Sequence, residues 1–412
     1  MPDFLPPTTR REFIRQSGGA LGLLAFSQVA PAFLTRTVAA DGLPPDKDRR
    51  ILVLVQLAGG NDGLNTLVPY QDDNYYRLRP KLGLPPAEVR AVNDQLGLHP
   101  ACDPLARLYG EGRLGIVQNV GYPNPNRSHF RSMEIWETAV DSDTYSETGW
   151  LGRYFDNACS GSPEASADPV GLSIGDTLPD AFAAAGNPNV FGLPESGRLR
   201  GDRLGREMLE AFAEGEPPPG ENGHFLQHML MNTLVTERTV LERIEKDRPE
   251  AAYPGSRLGR SLARIAALIA AGQGTRVYFV SQGGYDTHAG QAGTHARLLG
   301  ELSEALAAFQ RDLTARKLDD QVLTMTFSEF GRRPSENVSG GTDHGTAAPL
   351  FVLGSRIQQP LVGTAPDLNL ARNRDLTYST DFRAVYATVL RRWLDTDPVA
   401  ILGADYGTIG VV

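Results

Sequence analysis

Five continuous apolar runs divide the chain, and most of them end in glycine-rich or polar residues. An apolar run of this length without alternation is typical of a strand that is buried on both faces of a parallel sheet. The predicted strands are 50–57, 114–120, 276–281, 321–327 and 349–353.

Between these strands, apolar residues recur at spacings of three and four, which is the pattern of an amphipathic helix. Strand and helix alternation predicts an α/β fold, with a mostly parallel sheet and helices on both of its faces. The predicted helices are 128–140, 225–245, 257–271, 294–316 and 381–394.

The first 40 residues have the pattern of an export signal. Arg10 and Arg11 precede a mildly apolar stretch, 17–34, and small residues then end at Ala40. Paired arginines in this setting resemble the twin-arginine signal, so the export machinery that reads it is a predicted partner. An amphipathic surface helix is the alternative, and Pro31 disfavours it. The apolar stretch is too short for a stable span, which predicts a periplasmic or secreted protein without a stable membrane anchor after cleavage.

The remaining residues, 41–412, are predicted to form one domain, with a polar, loop-rich insertion at about 141–223. Composition fits a globular protein, at 41% hydrophobic and 22% charged residues. The net charge of −9 repels phosphates, so nucleic acid is not an expected partner. Cys102 and Cys159 are too few for a disulfide framework, and whether they pair is left open.

The candidate chemistry lies in a Gly-Gly-X-Asp sequence that occurs three times, at 59–62, 283–286 and 340–343. Ligands of open α/β sheets bind outside the carboxyl ends of the strands, where glycine permits close backbone approach. Each motif alone is more often a turn. Together, the carboxylates and imidazoles suit a divalent metal, which could be zinc, manganese, magnesium or calcium. The predicted ligands are Asp62, Asp286, His288, Glu329 and His344.

Ser128 lies at the predicted beginning of a helix, where a hydroxyl can cap the helix or face an anion. Beside a metal, this serine is a candidate nucleophile. Arg127 is a candidate contact for an anionic substrate, with solvated charge as the alternative. His129 and His295 are expected to be surface or supporting residues.

The motifs together resemble one bacterial family, the twin-arginine-exported fifteen-oh-one domain-of-unknown-function family of the alkaline phosphatase and sulfatase superfamily. The resemblance implies a three-layer α/β/α sandwich with metal ions at the strand ends and a serine, threonine or formylglycine nucleophile. It is carried by the export signal and by LAGGNDGLN (57–65), RSHF (127–130), GYDTH (284–288), FSEFGR (327–332), GTDHG (341–345) and DFRAVY (381–386).

Carried over by motif, Asp62 corresponds to the first metal carboxylate and Ser128 to the nucleophile. Asp286 and His288 correspond to paired ligands of one metal, and His344 completes that set. Asn65, in the first motif, joins Arg127 as a predicted substrate-binding residue.

The sequence departs from the superfamily pattern after Glu329, which stands where an Asp-His pair begins. Phe330 occupies the place of the histidine, so a second metal would lose a ligand. The spacing between Asp286 and His288 is also tighter than usual. No Cys-X-Pro-X-Arg element exists to supply formylglycine, which disfavours the usual kind of sulfatase.

The sequence therefore predicts an exported metal-dependent hydrolase of small anionic phosphate or sulfate esters, with Ser128 as its nucleophile. The alternative is a non-catalytic periplasmic binding or assembly protein that retains the hydrolase fold. A redox enzyme is disfavoured, because the first strand lacks a Gly-X-Gly-X-X-Gly and the chain lacks a cysteine cluster.

Overall fold

The computed structural model describes residues 49–158, 168–186, 188–195, 203–215 and 221–412. The predicted signal at 1–40 and Cys159 lie outside the described residues, so export stays a prediction and the question of cysteine pairing stays open. Cys102 is a free, fully buried thiol.

The described residues contain fourteen strands, and all five predicted strands are among them. They are β1 (Ile51–Ala58), β2 (Leu67–Val68), β3 (Arg90–Ala91), β4 (Gly97–Leu98), β5 (Leu114–Gly121), β6 (Gly171–Ile174), β7 (Val190–Leu193), β8 (Val277–Gly283), β9 (Val322–Phe327), β10 (Arg332–Glu336), β11 (Thr342–His344), β12 (Ala348–Leu353), β13 (Leu361–Val362) and β14 (Thr380–Asp381).

Nine of these strands form the central sheet, in the order β13–β5–β12–β9–β1–β8–β6–β7, with β14 paired to β5. Neighbouring strands are parallel except at β12, which runs antiparallel to both β5 and β9. Two small sheets, β10–β11 and β2–β4–β3, lie outside it. The prediction of a mostly parallel sheet is confirmed.

The helices of the described residues are α1 (Gly63–Thr66), α2 (Asp73–Leu78), α3 (Asp103–Gly110), α4 (His129–Thr138), α5 (Trp150–Ala158), α6 (Arg203–Glu214), α7 (Glu221–Lys246), α8 (Arg257–Ala270), α9 (Gln291–Ala315), α10 (Phe382–Thr388) and α11 (Pro398–Leu402). Short 3₁₀ turns cover Pro100–Cys102 and Asp180–Phe182, and a π-helical turn at Val389–Trp393 continues α10.

Alternation along β1 shows how the sheet separates two cores. Val53 and Val55 pack with apolar residues of α3, α8 and α9 on one face. Leu52 and Leu54 pack with α4, α5 and α10 on the other face. Successive side chains of a strand point to opposite faces, so β1 contributes to both cores. The chain is thus a three-layer α/β/α sandwich, as predicted.

Part of the segment at 141–223 belongs to this sheet. The sequence assigned it to a loop-rich insertion, yet β6 and β7 extend the sheet beyond β8 as parallel strands. Each has only four residues, too few to stand out as an apolar run. The division of the chain into domains stays a prediction. Among the described helices, none combines the length and apolarity of a membrane span.

Candidate metal and active site

The carboxyl ends of β1 and β8 meet through a turn that only glycine fits. Gly59 has a φ of +119°, and a Cβ atom on it would lie 2.4 Å from the backbone nitrogen of Asp286. Tyr285 donates a backbone hydrogen bond to Ala58, at 3.2 Å. Close backbone approach therefore presents Asp286 at the carboxyl edge of the sheet.

Three imidazoles surround the carboxylate of Asp286. Its Oδ1 lies 3.0 Å from Nε2 of His288 and 3.1 Å from Nε2 of His344. Its Oδ2 lies 3.5 Å from Nε2 of His129. These four residues are called the histidine cluster below. The structure thus brings together the predicted ligands Asp286, His288 and His344.

The histidine cluster fits a divalent metal by its donor set. His129, Asp286 and His344 each offer one ligand atom, and these atoms lie within 4.8 Å of one another. The Nε2 atoms of His288 and His344 are 3.0 Å apart. Imidazole nitrogens with a carboxylate oxygen are the donors that zinc and neighbouring divalent metals prefer.

The hydrogen bond at the far side of His344 fixes its tautomer. Its Nδ1 lies 2.8 Å from the carbonyl oxygen of Arg127. A carbonyl only accepts, so Nδ1 carries a proton and Nε2 is the ring nitrogen that faces the cluster. His288 has Asp343 on its other side, with Nδ1 3.5 Å from Oδ1. Both rings are therefore oriented by partners outside the cluster.

Asp286 is anionic because a buried guanidinium lies against it. Nη2 of Arg332 is 2.7 Å from Asp286 Oδ1, and the arginine side chain has no exposed surface. Desolvation by burial raises the pKa of Asp286, but hydrogen bonds from Arg332 and His344, with the charges of Arg332 and His288, outweigh it and lower the pKa to about 2. Arg332 ends the motif FSEFGR, which is the only sequence signal for it.

Glu329, a predicted ligand, lies beside the cluster and is fully buried. Its Oε1 accepts hydrogen bonds from the backbone N–H of Gly59 at 2.8 Å and from Nδ1 of His129 at 2.9 Å. A carboxylate in this position fixes the ring orientation and tautomer of a metal-binding histidine. Glu329 therefore holds His129 with its Nε2 toward Asp286.

His129 is the residue that sequence reasoning missed. We expected a surface or supporting histidine, but it is the first residue of α4 and lies between Glu329 and Asp286. Its position next to Ser128, in the motif RSHF, was the available signal. His295, the second histidine of that expectation, is buried and lies 3.0 Å from Asn61.

Ser128 borders the histidine cluster through its chain neighbours. Arg127 bonds His344 through its carbonyl, and His129 contacts Asp286. Ser128 is exposed and is the N-cap of α4, yet its hydroxyl makes no capping hydrogen bond. The hydroxyl is thus at the helix N-terminus, where free backbone N–H groups favour an anion.

Asp62 and Asn65 lie apart from the cluster, in a buried polar network. Nη1 of Arg79 is 2.6 Å from Asp62 Oδ2 and 2.7 Å from Asn65 Oδ1. Burial raises the pKa of Asp62, but the charge and hydrogen bond of Arg79, with smaller effects of His295 and Gln291, together bring the pKa below its usual value. Arg79 is therefore the cation that this carboxylate meets, although Asp62 Oδ1 has no hydrogen-bond partner among the described residues.

Neither predicted substrate-binding side chain faces the cluster. The Asn65 amide is 4% exposed and also bonds Leu82 and the Tyr75 hydroxyl. The Arg127 guanidinium lies 3.1 Å from Asp375. Each side chain has a partner elsewhere. Asn65 bonds Arg79, and Arg127 pairs with Asp375, which is distant in sequence.

Phe330 forms an apolar wall where the superfamily pattern has a histidine. Its ring centroid is 4.6 Å from that of His344 and 4.9 Å from that of His129. Gly60 packs against it so closely that a Cβ there would lie 2.3 Å from the ring. This wall contributes no ligand to a second metal.

Comparison with known families bears on the same region. Residues 210–398 match the model of the family described as "Protein of unknown function (DUF1501)". The resemblance to this family that the motifs predicted is confirmed over these residues, which make up less than half of the chain. The match includes Asp286, His288, Glu329 and His344, and lies C-terminal to His129. None of the curated proteins matches the sequence.

Several solved structures are similar at low identity. The lipoteichoic acid synthase LtaP from Listeria monocytogenes has a TM-score of 0.34 at 9% identity, over 76% of this chain and 67% of that one. The zinc complex of the periplasmic domain of EptC from Escherichia coli has a TM-score of 0.37 at 9% identity, covering 76% and 78%. Alkaline phosphatase from the Antarctic bacterium TAB5 has a TM-score of 0.30 at 12% identity, covering 74% and 92%. Likeness at this level assigns no chemistry to this chain.

Proposed function

We propose that this protein is an exported metal-dependent hydrolase of phosphate or sulfate esters. The observation that carries the proposal is the convergence of His129, Asp286 and His344 beside Ser128, whose hydroxyl makes no capping hydrogen bond to the helix. A donor set for a divalent cation next to a nucleophile at a helix N-terminus is the combination that anionic ester hydrolysis needs.

His129, Asp286 and His344 would hold the metal, with His288 beside them. When bound, a divalent cation would stabilise negative charge on the non-bridging oxygens of the ester. The buried Arg332 keeps Asp286 ionised and in place for this role. Glu329 and the Arg127 carbonyl would fix His129 and His344 in the tautomers that ligation requires.

Ser128 would act as the nucleophile. Its Oγ attacks phosphorus or sulfur, and the alcohol of the ester departs with the serine proton. Water then hydrolyses the serine ester, which restores the hydroxyl and releases the inorganic anion from a monoester or a monoester from a diester. The free N–H groups at the beginning of α4 favour the negative charge of the substrate throughout. The predicted signal at 1–40 supports an activity in the periplasm or outside the cell.

A non-catalytic binding or assembly protein is the second candidate. Two observations favour it: Phe330 offers no ligand, and the Asp62 carboxylate is paired with Arg79. In such a protein the metal would be structural, and its removal would unfold the chain.

Elemental analysis of the purified protein is the first test. We expect about one tightly held divalent ion per chain, because the histidine cluster offers one convergent donor set. His344→Ala should lose the ion, and His224→Ala should keep it, since His224 is an exposed histidine on α7. A metal-free protein in which both variants fold normally would contradict the proposal.

Ser128→Ala separates the two candidate functions. It should retain the metal and fold normally, but lose turnover of p-nitrophenyl phosphate, bis(p-nitrophenyl) phosphate or p-nitrophenyl sulfate by roughly a thousandfold or more, because the attacking oxygen is removed. Ser142→Ala, a change of the same kind in the turn after α4, is the control. Turnover near the wild-type rate in Ser128→Ala would show that Ser128 is not the nucleophile.

A further inference from the structure

A cavity of about 890 Å³ lies at the carboxyl ends of β1, β6 and β8. Its wall includes Gln56 at the end of β1, Ser173 in β6, Phe279 and Ser281 in β8, and residues of α4, α8 and α9. Small-molecule sites have volumes of roughly 300–1,000 Å³ and lie preferentially at this edge of open α/β sheets. Both the size and the position of the cavity are therefore those of a ligand site.

The cavity adjoins the histidine cluster along one face of α4. His129 belongs to the cluster, and Met133 and Glu137 line the cavity. Residues four apart lie on the same face of a helix, about 6 Å from one another along its axis. Gly283, also in the cavity wall, precedes Asp286 by three residues. A ligand that reaches both places would span only about one or two helical turns.

Gln56, in the cavity wall, has a buried amide donor that no described residue pairs, which points to a ligand as its partner. Its side chain is 5% exposed, and its Nε2 has no hydrogen-bond partner among the described residues. Buried amide donors are nearly always paired, because an unpaired one loses its hydration without compensation. A half-turn of the amide presents either its donor or its acceptor end to the cavity, so a ligand with hydroxyl oxygens would satisfy it.

The charges of the cavity wall select the kind of ligand. Five acidic and two basic side chains line it. Both basic side chains pair with wall carboxylates, Arg257 with Glu195 at 3.2 Å and Arg297 with Glu301 at 2.6 Å. The excess of carboxylates disfavours an anionic group here. It favours a ligand that donates hydrogen bonds.

A simple ammonium group does not satisfy both the wall carboxylates and the Gln56 amide. It would satisfy the carboxylates, but it has no acceptor for the Gln56 N–H groups. Hydroxyl groups both donate and accept, so they match the amide, the carboxylates and the serines of this wall together. Burial raises the pKa of Glu137 to about 7, so near neutral pH this carboxyl also both donates and accepts.

We infer that this cavity binds a carbohydrate. In the context of the proposed function, on which this step rests, the sugar is the alcohol part of an ester whose anionic group reaches the histidine cluster. Sugar binding itself requires only the cavity, so it can be tested without metal or turnover.

Binding of four uncharged probes is the direct test: the methyl glycosides of glucose, galactose, mannose and N-acetylglucosamine, by ligand-observed NMR and calorimetry. We expect at least one to bind wild-type protein, and Gln56→Met to weaken that binding threefold or more. Gln310→Met is the matched control, because Gln310 is also a buried glutamine with an unpaired Nε2 but lies on α9 outside the cavity wall. It should leave binding unchanged.

Neither glutamine variant is expected to unfold the protein, because each removes an unpaired buried donor with little change in volume. Glu137→Gln provides a second variant, which should also weaken binding. Absence of binding for all four glycosides at millimolar concentration, equal loss in Gln310→Met, or binding of ethanolamine in their place would overturn the inference. His344→Ala should still bind the glycoside, which separates failure of the cavity from failure of the hydrolase.

Discussion

Asp62 and Asp286 end two Gly-Gly-X-Asp sequences that follow neighbouring parallel strands, yet they have opposite surroundings. Asp286 has 48% of its side chain exposed and is surrounded by three imidazoles. The Asp62 side chain has no exposed surface and meets the equally buried guanidinium of Arg79. The same motif therefore gives a candidate ligand site at one strand and a buried ion pair at the next. Tertiary partners, rather than the motif, decide which.

The variant with the largest expected effect tests this difference through the stability of the fold. Arg79→Met should lower the free energy of unfolding by about 3–5 kcal/mol, because it leaves the Asp62 carboxylate buried without its cation. Urea denaturation measures it. Arg127→Met, which removes only the partly exposed pair with Asp375, should cost less than about 1 kcal/mol.

Asp286→Asn is the converse variant. It should abolish metal binding and cost the metal-free protein less stability than Arg79→Met does. Asp286 is half exposed, and the buried Arg332 guanidinium keeps its hydrogen bonds to four backbone carbonyls when the carboxylate is removed. Metal content and urea denaturation are measured on the same samples. The comparison fails if Arg79→Met loses metal without loss of stability, because Asp62 would then belong to the metal site.

Glu137 supplies a third case, a buried carboxyl that pairs with no cation among the described residues, and it sharpens the comparison through pH. Burial, together with the nearby charges of Asp180 and Glu329, raises its pKa from 4.5 to about 7. Between these pH values the folded protein binds a proton that the unfolded chain has released. The contribution of Glu137 to stability therefore falls as the pH rises through this window, by about 3 kcal/mol in all.

Glu137→Gln should remove this dependence. The amide oxygen can still accept from the Ala181 N–H, as the carboxyl does at 3.1 Å. The free energy of unfolding of the variant minus that of wild type should increase by about 2–3 kcal/mol between pH 5 and pH 8. A constant difference across this range would mean that Glu137 is ionised in the folded protein at pH 5.

The sequence predicted the main sheet and most of the histidine cluster for the same physical reason. Apolar runs identify buried parallel strands, and the residues after such strands meet at one edge, so Asp286, His288 and His344 were expected together. Ser128 was expected beside the site for other reasons, namely its place at a helix N-terminus and the family resemblance.

What the sequence did not predict depends on partners that are distant in the chain. Arg79 lies 17 residues after the Asp62 that it neutralises, and no local pattern relates them. His129 had the appearance of a surface helical residue, because its partner Glu329 is 200 positions away. Strands β6 and β7 were missed because two four-residue segments become strands only by pairing with the existing sheet.

Glu329 is a buried carboxylate that supports the histidine cluster of Asp286 and is not part of the buried pair of Asp62 and Arg79. Its variant has the smallest expected effect. Glu329→Gln retains an oxygen that can accept from Gly59 and His129, but it removes the negative charge that makes His129 a stronger ligand. Loss of such a partner costs about 10–100-fold in metal affinity, which competition with a chelator would measure. Glu304→Gln, at an exposed position of α9, should leave the affinity unchanged. Unchanged affinity in Glu329→Gln as well would mean that Glu329 supports only the Gly59 turn, and that His129 orients itself by its helix.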